Sequence, residues 1–186
     1  MKRILCFAMF VVVALGAPAF AATPEGKTGE IGFAVGQSDV NSNASGSDTA
    51  QFLGVRGGYH VTDQFQVEGQ FASSSESADV SGTNVDTTMH LYMVNGVMNF
   101  HPRKKEIVPY VMAGVGHADV AVDASGSKVN DGSVAYQVGG GTRIFFGKSK
   151  RMAFRGDLTL LRENSFNDSS TITTVTGGIT WKLGGR

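Results

Sequence analysis

From about residue 27 onward, apolar positions alternate with polar or small ones at a period of two. Ile31, Phe33 and Val35 fall on one face of such a segment, and Glu30, Gly32, Ala34 and Gly36 on the other. Leu53, Val55, Tyr59 and Val61 oppose Gly54, Arg56, Gly58 and His60, and Phe65, Val67 and Phe71 oppose Gln66, Glu68 and Gln70. Further along, Tyr136, Val138, Ile144 and Phe146 oppose Gln137, Gly139, Gly141 and Arg143. Phe154, Leu158 and Leu160 oppose Arg155, Asp157 and Thr159. Val175, Ile179, Trp181 and Leu183 oppose Thr174, Gly178, Thr180 and Lys182. Successive side chains of a strand point to opposite faces, so this period predicts strands. No long stretch has helical spacing. The segments predict eight strands, at about 27–38, 49–61, 64–74, 86–100, 106–120, 133–147, 151–163 and 170–184.

The connections alternate in length. Val61-Thr62-Asp63-Gln64, His101-Pro102-Arg103-Lys104-Lys105 and Gly147-Lys148-Ser149-Lys150 are short. The segments near 39–48, 75–85 and 121–132 are longer and rich in Ser, Asn, Asp, Gly and Ala, and Glu163 to Ser169 is a shorter member of that set. Outer-membrane barrels keep short turns on the periplasmic side and longer loops outside. The expected fold is therefore all-β, an eight-stranded antiparallel up-and-down transmembrane β-barrel with both termini periplasmic.

Alternation alone would suit a soluble barrel equally well, with its apolar face inside. Two features favour the opposite assignment. The polar face is crowded with glycine and alanine, which suits an eight-strand interior with room for few large side chains. Its charges also nearly balance: Arg56, Arg143, Arg155 and Lys182 stand against Glu30, Glu68 and Asp157. Buried charges persist when paired and hydrogen-bonded, so these residues are expected to form a closed interior network. On the apolar face, Tyr59 and Phe65 flank the first short turn, and Phe100, Phe146 and Trp181 lie beside other periplasmic turns or the C-terminus. They are expected to form a periplasmic aromatic girdle. The fourth strand has two fairly apolar faces. The reading adopted turns Tyr92, Val94, Met98 and Phe100 to lipid and Leu91, Met93, Asn95 and Asn99 inward.

The start of the chain reads as an address, not as fold. Lys2 and Arg3 precede the apolar run Ile4 to Leu15, which Gly16, Ala17 and Pro18 break before Ala19-Phe20-Ala21. This is the layout of a secretory signal peptide, expected to span 1–21, with the barrel domain at 22–186. The only cysteine, Cys6, lies inside it. Of sixteen basic residues, Lys2 and Arg3 leave with the signal, so fourteen face sixteen acidic ones and the mature net charge is −2. No basic field invites nucleic acid. No apolar run beyond the signal approaches the length of a transmembrane helix.

Several strands resemble those of the OmpA/OmpX-like outer-membrane barrels. Val108-Pro109-Tyr110-Val111-Met112-Ala113-Gly114-Val115-Gly116 resembles a Pro-Tyr-x-x-Ala-Gly-x-Gly strand of that family. Ala135 to Arg143 is similar to the strand that follows, Ala153 to Leu158 to the next, and Thr176 to Trp181 to the last. The resemblance implies a porin-like but plugged, monomeric eight-strand barrel in the Gram-negative cell envelope, in contact with outer-membrane lipid and lipopolysaccharide. Family chains usually end on an aromatic residue that the barrel-assembly machinery reads. Here the end is Trp181-Lys182-Leu183-Gly184-Gly185-Arg186, so Trp181 would have to stand in.

Candidate chemistry is sparse. His90, His117 and Asp119 are the groups to weigh for a lipid-modifying enzyme, with His117 and Asp119 two apart on one strand face. Arg162-Glu163-Asn164-Ser165 lacks a His-x-Ser pattern, and His60 and His101 are too scattered to suggest a metal site. Gly139-Gly140-Gly141 sits inside a strand and is no phosphate loop. No catalytic residue, metal or cofactor is therefore expected. The expected role is structural or surface-interacting, with a possible surface ligand at the polar loops. The alternatives are a narrow pore, an outer-membrane lipid-modifying enzyme, and a soluble periplasmic ligand-binding barrel. If the charge network is the plug, replacing Arg143 and Arg155 with alanine should raise conductance.

Overall fold

The computed structural model describes residues 27–41, 48–80, 83–100, 106–124, 127–147, 149–163 and 170–184. The expected signal segment 1–21, the turn residues 101–105 and most of the Glu163–Ser169 connection lie outside them. Eight strands are present: β1 (Gly29–Asn41), β2 (Asp48–His60), β3 (Phe65–Val80), β4 (Thr83–Asn99), β5 (Ile107–Ala124), β6 (Ser127–Phe146), β7 (Met152–Glu163) and β8 (Ser170–Leu183). Each pairs antiparallel with the next, and β1 closes on β8, from Gly29 opposite Leu183 to Asn41 opposite Thr171. Closure leaves no strand edge to template a foreign strand.

The two faces separate cleanly. Phe33 is 64 % exposed and Leu53 62 %, while Arg143 and Glu68 inside are 0 % and 1 %. The apolar face points outward, which is not the arrangement of a soluble ligand-binding barrel. On β4, Tyr92, Val94, Met98 and Phe100 are exposed, and Leu91, Met93, Asn95 and Asn99 are buried. The outward face also changes character along each strand. Val35 gives way to Gln37, Leu53 to Gln51, Phe71 to Ser73, Tyr92 to His90, Val115 to His117, Leu160 to Arg162 and Val175 to Thr173. The register makes this one continuous boundary, with Val35 opposite Leu53, Phe71 opposite Tyr92, and Leu158 opposite Val175. Beyond it the strands run on with a mostly polar outward face, Val134, opposite His117, being an exposed apolar exception.

That continuation corrects part of the expected layout. Segments 75–85 and 121–132 were expected as loops, yet β3 reaches Val80 and β4 starts at Thr83, while β5 reaches Ala124 and β6 starts at Ser127. The pairs Ser77↔Asp86 and Val122↔Val129 show ordinary ladder register. Polarity above a membrane belt marks contact with water, not loss of strand, because the ladder hydrogen bonds do not depend on which side chain they carry. At the opposite end the connections are tight. Thr62 Oγ1 accepts from the backbone N–H of Gln64 at 3.3 Å and of Phe65 at 2.9 Å, which closes the β2–β3 turn. Gly147 takes φ of 78° in the turn before β7.

The interior glycines make room. A Cβ on Gly58 would stand 2.0 Å from Gln66 Nε2, one on Gly114 1.9 Å from Asn95 Oδ1, and one on Gly141 2.5 Å from Tyr110 Oη. Neighbouring Gly177 and Gly178 provide a paired test. A Cβ on inward Gly178 would lie 1.9 Å from the Phe33 carbonyl oxygen, whereas outward Gly177 has nothing within 4 Å. Backbone cannot step aside, so Gly178→Ala is expected to destabilise by about 1–3 kcal/mol, the usual range for overpacking. Gly177→Ala should stay within about 0.5 kcal/mol. Urea unfolding of the two variants in lipid vesicles checks this, and equal midpoints would refute it.

Candidate functional site

Six of the seven expected network residues meet on the barrel axis. Arg56 Nη1 donates to Asp157 Oδ2 at 2.7 Å. Arg155 donates through Nη1 and Nη2 to the Glu68 carboxylate, the latter at 3.1 Å, and through Nε to Asp157 Oδ1 at 3.1 Å. Arg143 Nε donates to Glu30 Oε1 at 3.2 Å, and its Nη2 lies 3.9 Å from Glu68. Three guanidiniums thus face three carboxylates, and all six side chains are buried. The seventh, Lys182, is half-buried nearer the turn end, with Nζ 4.5 Å from the centroid of the Phe145 ring.

Neutral residues complete the network. Tyr110 donates its hydroxyl to Asp157 and accepts from Arg155 Nε at 2.7 Å, and the Arg143 and Arg155 guanidiniums lie 4.6 and 4.8 Å from its ring centroid. Arg143 also donates to Asn99 Oδ1 at 2.6 Å and Gln66 Oε1 at 2.7 Å. Thr176 donates to Asp157 Oδ2 at 3.0 Å. His60, placed by the sequence on the inward face but not among the network residues, is fully buried with Nε2 3.4 Å from Glu30 Oε2. Tyr110 could not be read from the pattern, because β5 is small or apolar on both faces and its parity does not show. For His60, the inward parity of Arg56 and Gly58 was the available signal.

The network is enclosed along the axis. Toward the hairpin end the lumen is filled by Phe52, Ala72, Met89, Leu91, Met93, Ala118, Ala135, Leu161 and Ile172. Toward the turn end Val108, Phe145 and Ala153 pack together, with Lys182 over the Phe145 ring. The charged network is thus flanked by apolar clusters interspersed with buried polar groups, such as Ser74 and Thr174 toward the hairpin end and His60 and Thr180 toward the turn end, and unpaired charge among them would be costly.

The expected aromatic girdle residues occupy the outward face near the turn end. Tyr59, Phe65, Phe100 and Trp181 are exposed, and Phe146 is half-buried against Phe154 at a centroid distance of 4.6 Å. His117 and Asp119 also face outward, just beyond the apolar belt, with Nε2 and Oδ1 3.0 Å apart. His90 lies opposite Asp119 on β4. The register neighbours of His117 are Tyr92 and Val134, neither of which supplies a nucleophile of the serine type. Among the described residues no group of three or more His, Cys, Asp or Glu side chains is placed to hold a metal ion.

The family model described as outer membrane protein beta-barrel domain covers residues 7–182. No curated protein matches. Neisserial surface protein A aligns with a TM-score of 0.72 at 13 % identity, over 83 % of this chain and 97 % of that one. Ail, the attachment invasion locus protein of Yersinia pestis, aligns at 0.61 and 15 %, over 85 % and 99 %. Outer membrane protein OprG of Pseudomonas aeruginosa aligns at 0.54 and 14 %, over 89 % and 99 %. At such identities these structures share the fold with this chain.

Proposed function

This chain belongs to the outer membrane protein β-barrel domain family, and from that membership we propose that it is a closed barrel that works through its outward surface and not through its lumen or by catalysis. The observation that carries this reading is the buried, ion-paired charge network that occupies the barrel interior between clusters of buried side chains. Ion passage needs a continuous wet path, and a narrow eight-strand interior occupied by paired charges and packed side chains speaks against one. With the turn end toward the periplasm, the extended β3–β4 and β5–β6 hairpins project outside. They form the surface available to a partner, beside lipid and lipopolysaccharide around the belt. A cleaved signal at 1–21 and handling by the barrel-assembly machinery belong to the same reading, as does a monomeric state.

Cell fractionation followed by electrophoresis with and without boiling tests it. The expected result is recovery in the outer membrane and a mobility that changes on heating, as a closed barrel unfolds. Recovery in the soluble periplasm without a shift would overturn the reading. The lipid-enzyme alternative has its own check. His117→Ala should leave lipid A composition unchanged by mass spectrometry, and a changed composition would make the His117–Asp119 pair a catalytic one.

A further inference from the structure

An internal cavity of about 10 Å³ lies between the charge network and the apolar cluster toward the hairpin end. Phe52, Leu91 and Leu161 border it on the apolar side, and Arg56, Gln70, Gln137 and Thr159 on the other. The strand register builds it. Arg56 and Gln70 stand opposite each other on β2 and β3, and Thr159 on β7 stands opposite Gly139 on β6, which adds no side chain. Arg56, Gln70 and Thr159 keep 7 %, 8 % and 8 % of their surface although they point into the lumen, because they border this space.

The polar side has one donor that the protein does not satisfy. Arg56 gives Nη1 to Asp157 and Nη2 to Thr176 at 3.2 Å, but its buried Nε has no acceptor among the described residues. Buried polar groups are ordinarily bonded to protein or to ordered water. Around the same space, Thr174 is bonded to Ser38 at 3.0 Å, whereas the Gln137 amide donates only to Met112 Sδ, a weak acceptor, at 4.0 Å. Arg56 Nε, Gln137 and the Thr159 hydroxyl therefore suit an occupant that both accepts and donates. Charge sets its kind: three guanidiniums already face three carboxylates, so no counter-ion is called for. Size sets its number, since a cavity of roughly 10–15 Å³ holds one water, and cavities that stay dry are lined by apolar groups alone. We propose that this cavity binds a single water molecule, which accepts from Arg56 Nε and donates to the side-chain oxygens of Gln137 and Thr159. To leave, it must pass the charge network on one side or the packed cluster on the other, so it exchanges slowly with bulk water. The site rests on the closed-barrel reading above.

The test uses the full mature chain, isotopically labelled and folded in phosphatidylcholine nanodiscs. Water-selective nuclear Overhauser spectra, in the laboratory and rotating frames, read dipolar contact between water and each arginine Hε. The rotating-frame sign separates such contact from proton exchange. The wild type is expected to show a water cross-peak at Arg56 Hε with the sign of a long-lived contact, and none at Arg143 or Arg155, whose Nε atoms donate to Glu30 and to Asp157 and Tyr110. Thr159→Ile places a methyl group in the cavity and should abolish the Arg56 cross-peak. Gln137→Leu, which removes one partner and keeps a side chain of similar size, should weaken it. Retention of the heat-dependent mobility change shows that each variant still folds. No cross-peak at Arg56 in the folded wild type, or one that persists unchanged in folded Thr159→Ile, overturns the site and leaves the closed barrel standing. Short-lived water contacts at Arg56, Arg143 and Arg155 alike overturn the closed-barrel reading beneath it, because the lumen is then continuously wet.

Discussion

Arg155→Ala is expected to destabilise the folded barrel by about 3–5 kcal/mol, the cost of removing one partner from a buried charge pair. Arg155 is the hub of the interior network. It gives two hydrogen bonds to Glu68, one to Asp157 and one to Tyr110. Without it, Asp157 keeps Arg56 at 2.7 Å, but Glu68 is left with Arg143 at 3.9 Å as its remaining ion-pair contact. Most of the loss therefore falls on one buried carboxylate. Neutralising that carboxylate should return much of the stability, because replacing both members of a buried pair is often nearly neutral. Arg155→Met combined with Glu68→Gln is accordingly expected to unfold at a higher urea concentration than Arg155→Ala. A loss below about 1 kcal/mol in Arg155→Ala would mean that water reaches Glu68, since exposed pairs have that size.

Why these residues were legible, and others were not, follows from how a strand encodes its faces. On β2, β7 and β8 a bulky apolar residue faces out at nearly every second position, so the parity of Arg56, Arg155 and Asp157 could be read directly. On β5 the outward Ala113 and the inward Gly114 and Gly116 are all small, and Tyr110 had no parity to declare. Partner choice was not readable either. Arg56 and Asp157 are 101 residues apart and Arg143 and Glu30 are 113 apart, and only barrel closure and shear bring them together. The strand ends were misread for a different reason. Composition reports what surrounds a strand, and above the belt that is water. Ser, Asn and Asp there looked like loop until the paired register of β3 with β4 and of β5 with β6 was seen.

The layering also alters what should happen when the charged layer is removed. Were the network the only plug, Arg143→Ala with Arg155→Ala would open a conducting path. The apolar layers make the expected result different: this double variant should stay closed in planar bilayers, like the wild type. Phe52 and Leu161 still fill the lumen toward the hairpin end, and Phe145 and Val108 toward the turn end, all buried. An ion that enters the vacated middle must still pass closely packed side chains on either side, and transferring an unpaired charge among buried groups costs many kcal/mol. Opening requires a breach at each height, so Phe52→Ala, Arg143→Ala and Phe145→Ala together are expected to produce discrete current steps. The heat-dependent mobility change must first show that the triple variant folds. Steps from the double variant alone would mean that the arginines carry the whole seal and that the apolar layers admit water. Silence from a folded triple variant would mean that the remaining side chains in each layer close over the gaps, which would place the seal in the narrowness of an eight-strand lumen itself.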